Sequence, residues 1–241
     1  RVYQINLAIA GIAVGTVSLP VLSKAFKNKN FKNLSNIQNK SFELSLLLSI
    51  PASFGLILAS EEIVSALFGY GSFSNGDVKM TADALKYFGY GVPAFALVKI
   101  LSNFFFARDN TKTPFYISIG IVVTNITISL SFFSNIGFII IPIATSISTW
   151  IGIFIYIYLL SQKKSLLLKT ELILSFFKIL VSTIIMSFTL VLTLEYYASY
   201  LDYMYKFKAI YLVTIVGFTG IVYLISCYLL GILKIKKYKI N

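Results

Sequence analysis

Apolar runs alternate with polar stretches along this chain at membrane spacing. Residues 3–22, 42–60, 84–107, 115–133, 138–160, 172–194 and 210–233 are each about as long as the ~20 residues a bilayer core demands of a helix. None alternates polar with apolar positions, so a membrane β-barrel is excluded and each run predicts a helix. The expected fold class is all-α, a polytopic transmembrane helix bundle of seven spans. Glu61 and Glu62 close the second run, and residues 63–68 predict a short interfacial helix. Residues 23–40 read as a polar, lysine-rich loop. A tyrosine-rich loop (Tyr196, Tyr197, Tyr200, Tyr203, Tyr205) before the last run suits an interfacial belt.

Composition strengthens this picture and removes several function classes. The mean hydropathy of +0.83 lies well above that of soluble domains. A formal charge of +12 invites a nucleic-acid reading, but the lysines cluster in particular loops instead of lining a face, so nucleic acid is set aside. The single Cys227 lies in an apolar run and can supply neither a disulfide framework nor a thiolate metal site. Histidine is absent, which removes histidine metal sites and proton relays. No nucleophile, base and oxyanion donors cluster and no glycine loop cradles phosphate, so the chain does not read as an enzyme. It opens at Arg1 with no initiator Met or leader, and reads as the C-terminal part of something longer.

Seven spans place the two ends on opposite sides. Fourteen lysines and arginines lie in the loops at 23–40, 108–112, 163–169 and 234–239, against three (Lys79, Lys206, Lys208) in the alternate loops. The positive-inside rule then puts the C-terminus in the cytoplasm of a multi-pass inner (plasma) membrane protein.

The stretch from Leu67 to Pro114 carries the most specific chemistry. A span broken by Gly89, Gly91 and Pro93 contains Lys99, nine residues before Arg108 and so about 13 Å along a helix. A lysine side chain covers about half of that, so snorkelling is strained. Such a lysine must be paired or face a hydrated cavity. Both readings stand for Lys99: a substrate-facing cation, or a structural partner of a carbonyl or an acid. Lys178 lies nearer its span's end, where snorkelling suffices. The glycines and Pro93 read either as a hinge or as close packing. Asn125, Ser129 and Thr145 read either as oxygen ligands for sodium or as glue between helices. Asp77, Thr81 and Asp83 read as helix-start residues. No carboxylate lies in the middle of any span.

Ordered motifs cover residues 1–149. After GIAVGTVSLPVLSK (Gly11 to Lys24) come Leu67, Phe68, Tyr70, Gly71 and Phe73, then Asp77, Met80, Thr81, Ala84 and Leu85. Gly91, Pro93, Ala94, Phe95, Leu97, Val98 and Lys99 follow, then Ala107 with Arg108 and Thr113 with Pro114. Taken together they resemble the MurJ (MviN) family of lipid II flippases, within the multidrug, oligosaccharidyl-lipid and polysaccharide exporter superfamily. The last two runs match that family only in hydropathy and position. The resemblance implies helices eight to fourteen of fourteen. Residues 1–162 then form a C-terminal transporter lobe of five spans, and residues 163–241 form two added helices completing a groove for the lipid tail. It further implies that Arg1 points at the substrate pyrophosphate, although a plain flanking charge is the other reading.

The function implied is flipping of lipid II, an undecaprenyl-pyrophosphate-linked peptidoglycan precursor, by alternating access, with Arg1 and Lys99 as substrate-binding cations. Coupling would come from a sodium ion or the membrane potential, and no other cofactor is expected. Partners implied are lipid II, membrane lipids, an N-terminal lobe of the same protein and the cell-wall synthesis machinery. The alternatives are export of another lipid-linked oligosaccharide or small molecule, and a non-transporting membrane scaffold.

Overall fold

A computed structural model describes residues 2, 4, 11, 12, 14–162, 166 and 168–233. Every described element is helical: α1 (Val14–Lys27), α2 (Phe31–Leu58), α3 (Ser60–Phe68), α4 (Asn75–Phe106), α5 (Lys112–Ile136), α6 (Ile140–Gln162), α7 (Thr170–Tyr196), the single turn α8 (Ala198–Leu201) and α9 (Lys208–Leu229). Five stretches are long and apolar enough to cross a membrane, and one of them, the 51 residues of Lys112–Gln162, holds both α5 and α6. These two fold back on each other at Gly137, whose φ of 73° and ψ of −152° belong to glycine alone. Asn125 meets Thr145 while Gly152 rests on Ile121 and Ile117, pairings that run in opposite directions along the two helices. Much of the first expected run lies outside the described residues, which leaves the count of seven spans open.

The lysine-rich stretch at 23–40 is not a loop. α1 continues to Lys27 and α2 starts at Phe31, joined by a turn with Lys29 at φ 51° and Asn30 accepting a hydrogen bond from the Asn33 amide as N-cap. Hydropathy marks the part of a helix that meets lipid, and a polar helical turn beyond it is invisible to that measure. For the same reason α4 begins at Asn75, nine residues ahead of its apolar run. Its start is fixed by a capping box: the Ser74 hydroxyl accepts from the Asp77 amide, and the Asp77 carboxylate accepts from the Ser74 amide. Thr81 and Asp83 are exposed and take no part in that cap.

α4 is the central helix. It lies between α2 and α6 and also touches α1 and α3; α5 packs outside α6, α7 outside α2, and α9 on α7. Near the end that carries Lys27, Arg108 and Lys169, the core is Leu22, Phe42, Phe104, Phe105, Tyr156 and Leu160, with Phe42 and Phe104 edge to face at 5.4 Å. A second core, including Ile179, Met186 and Cys227, binds α7 and α9 to α2. The outward faces are apolar, with Leu130, Phe188 and Val213 well exposed, as expected of surfaces that meet lipid.

Candidate functional site

Pro93 decides the local structure of α4. Lacking an N–H, it leaves the Gly89 carbonyl, four residues back, without its helical donor. Ser53 of α2 supplies one, its hydroxyl donating to Gly89 O at 2.7 Å. From the other flank, α6 donates Ser146 Oγ to Tyr87 O at 2.7 Å and Trp150 Nε1 to Tyr90 O at 3.0 Å. The break is held from both sides. Gly89 and Gly91 permit this close approach: a Cβ on Gly89 would stand 2.9 Å from Ile57, and one on Gly91 would stand 2.6 Å from Ser146 Oγ. Both glycines thus permit close packing around the Pro93 interruption.

Lys99 lies six residues beyond Pro93 and is exposed, with no hydrogen bond or ion pair to any described residue. Its i+3 neighbour Ser102 shares a hydrogen bond of 2.9 Å with Tyr156 of α6. Its i+4 neighbour Asn103 donates to Gly15 O of α1 at 2.7 Å. Residues three and four apart share one face of a helix, so Lys99 sits on the face of α4 whose next turn is held by α6 and α1. Of the two readings left open by the sequence, pairing within the described residues is absent. Arg1 lies outside the described residues.

Arg108, by contrast, is tied down: it donates to Phe104 O at 2.7 Å and its guanidinium lies 5.4 Å from the Phe26 ring centre. Burial lowers its pKa from the usual arginine value. It caps α4 and anchors it to α1. Lys178 is exposed on α7.

Asn125, Ser129 and Thr145 meet between α5 and α6. The Asn125 amide donates to Thr145 Oγ1 at 2.8 Å, Thr145 donates to Ile141 O at 2.7 Å, and Ser129 donates to Asn125 Oδ1 at 3.4 Å. These bonds join α5 to α6, the arrangement expected of polar glue between membrane helices. A double-mutant cycle on Asn125→Ala and Thr145→Ala is expected to return about 0.6 kcal/mol, the average for hydrogen bonds between membrane helices. The same variants are expected to leave any sodium dependence of the full-length protein unchanged. A lost sodium response would restore the ion-site reading.

Two further features lie apart from the residues singled out above. The first is Lys208 at the start of α9, fully buried, donating to Gly69 O and Tyr203 O at 2.7 Å each. The faces of Tyr70 and Tyr203 lie 4.5 and 4.6 Å from its ammonium. The second is an open apolar groove of about 520 Å³ between α2 and the α7–α9 pair, whose walls include Leu47, Pro51, Gly55, Met186, Gly220 and Tyr223. Such a groove fits a hydrocarbon chain.

A family model described as "Lipid II flippase MurJ" matches residues 1–213. The chain belongs to the MurJ family. It is 34% identical to the probable lipid II flippase MurJ of Rickettsia prowazekii over 223 residues, covering 92% of this chain and 43% of that protein. With the probable lipid II flippase MurJ of Thermotoga maritima it shares 36% identity over 159 residues, 66% of this chain and 32% of that one. A solved structure of lipid II flippase MurJ in an inward closed conformation superposes with a TM-score of 0.76 at 28% identity, covering 95% of this chain and 45% of the other. The chain thus spans less than half the length of these MurJ relatives. The likeness extends through the groove helices, so the all-α membrane architecture and the MurJ fold are shared along nearly the whole chain.

Proposed function

We propose that this chain is the C-terminal part of a transporter that flips lipid II across the bacterial inner membrane by alternating access, paired with an N-terminal lobe of the same protein. The physical problem is to carry a charged pyrophosphate and a polar sugar-peptide head past hydrocarbon while a polyprenyl tail stays in lipid. The observation that carries the reading is Lys99, an exposed cation with no partner among the described residues, six residues beyond the clamped Pro93 interruption of α4. Its ammonium attracts the pyrophosphate by charge, together with Arg1, while the groove behind α2 takes the tail. Opening and closing turns on the Gly89–Pro93 bend, and the membrane potential or a sodium ion held outside the Asn125 group drives it. Membrane lipids line the outer helix faces and the cell-wall synthesis machinery receives the product. The excess of lysine and arginine at the Lys27–Arg108–Lys169 end supports a cytoplasmic placement of that end, and with it of the C-terminus.

The test is rescue. In bacteria depleted of their own lipid II flippase, the full-length gene is expected to restore growth and cell shape. Failure to rescue, with the protein inserted at matched abundance, would redirect the reading to another lipid-linked oligosaccharide.

A further inference from the structure

Pro51 of α2 creates the same deficit as Pro93 of α4, one helix layer away. It leaves Leu47 O, four residues back, without a backbone donor. The missing hydrogen bond comes from α9: Tyr223 Oη donates to Leu47 O at 2.7 Å in a fully packed setting. Two residues beyond Pro51, Ser53 hands its own hydroxyl to Gly89 O, the carbonyl freed by Pro93. The carbonyl freed in α2 is therefore capped from α9, and the one freed in α4 is capped from α2. Leu47, Pro51 and Tyr223 also belong to the wall of the apolar groove. A chain seated in that groove bears directly on the first of the two bonds. Lys99 stands six residues past Pro93, about 9 Å along the helix.

We propose that Tyr223 and Ser53 are positioning residues that couple occupancy of the apolar groove to the bend in α4, and so to the placement of Lys99. The inference rests on the groove taking a polyprenyl chain, as proposed above. Each freed carbonyl has one foreign hydroxyl as its donor, and a carbonyl in hydrocarbon cannot turn to water instead. A change in the spacing of α9 and α2 is therefore passed to α4 through the two bonds and the short stretch of α2 between them. Lipid packing alone would leave both carbonyls indifferent to the groove.

The full-length protein, spin-labelled at Lys86→Cys and Lys112→Cys, reports the bend as a distance by pulsed electron paramagnetic resonance. Both sites are exposed and flank Pro93, and the native Cys227 is fully buried, out of reach of the label. Undecaprenyl phosphate is the probe, with its binding followed separately by isothermal titration. The expected result is a shift of the distance distribution on binding, reduced to less than about half in Tyr223→Phe and in Ser53→Ala, and restored in Ser53→Thr. Affinity for the probe is expected to stay within about threefold of the parent in Ser53→Ala, because Ser53 lies outside the groove wall, and the shift in Tyr223→Phe is read at saturating probe. A purely structural role predicts lowered melting temperatures with the shift intact, and that result overturns the proposal. Binding without any shift in the parent also overturns it while leaving the groove reading in place. A flat titration in the parent overturns the groove reading itself, and the coupling falls with it.

Discussion

Lys208→Ala is expected to destabilise the full-length protein by about 2–4 kcal/mol, the largest stability loss of any single lysine substitution in this chain. Removing the ammonium leaves the buried Gly69 O without this donor, costing about 1–3 kcal/mol, and the partly buried Tyr203 O without it at a smaller cost. Loss of the cation over two tyrosine faces adds to this, and relief of the lysine's own desolvation offsets part of it. Lys208→Met refills the volume without supplying donors and is expected to recover only a small part of the loss. The measurement is the unfolding midpoint in a detergent titration, read for the parent and both variants. A loss below about 0.5 kcal/mol would mean that water reaches the carbonyls and the cage is not a latch. What the latch holds is clear from its partners: Gly69 belongs to the α3–α4 turn and Lys208 opens α9, with Tyr203 donating to Phe73 O beside them. It joins the final helix pair to the rest of the bundle at the end opposite Arg108.

The cage could not be read from the chain. Its acceptors are backbone carbonyls 139 and five residues away from Lys208, and its walls are tyrosines that equally suited an interfacial belt. Counting Lys208 as a loop charge used its position and missed its partners. The helix starts were more legible, because a cap is local: Ser74 and Asp77 are three residues apart and their spacing alone predicts the mutual bonds. Pro51 and Pro93 were visible as interruptions, yet the donors that repair them, Tyr223 and Ser53, are 176 and 36 residues from the carbonyls they serve. Asn125 and Thr145 were correctly grouped, since a hairpin of two spans brings them level. The hydrogen bond that joins them across α5 and α6 depends on side-chain directions that residue spacing does not carry.

Lys99 was legible for a different reason. A cation deep in an apolar run stands out whatever its neighbours are, because the membrane makes any charge costly. Its depth is a matter of counting residues, whereas its direction depends on how Ser102 and Asn103 lean on α6 and α1. The ammonium is exposed and without a partner among the described residues, which yields the sharpest functional expectation. Lys99→Ala in the full-length protein is expected to slow flipping about 10- to 100-fold, the factor that follows from losing one hydrogen bond to a charged group worth about 1.5–3 kcal/mol. Its stability is expected to change little, since no described residue depends on Lys99 for a hydrogen bond. Lys99→Arg keeps the charge and is expected to retain most of the activity, although its fork geometry differs. Flipping measured in proteoliposomes at matched protein density, alongside melting curves, separates the two effects. Full activity in Lys99→Ala would remove the lysine from the substrate path, and a large drop in melting temperature would make it a structural partner of a segment beyond the described residues. An active Lys99→Arg beside an inactive, stable Lys99→Ala fits only a charge that meets the substrate.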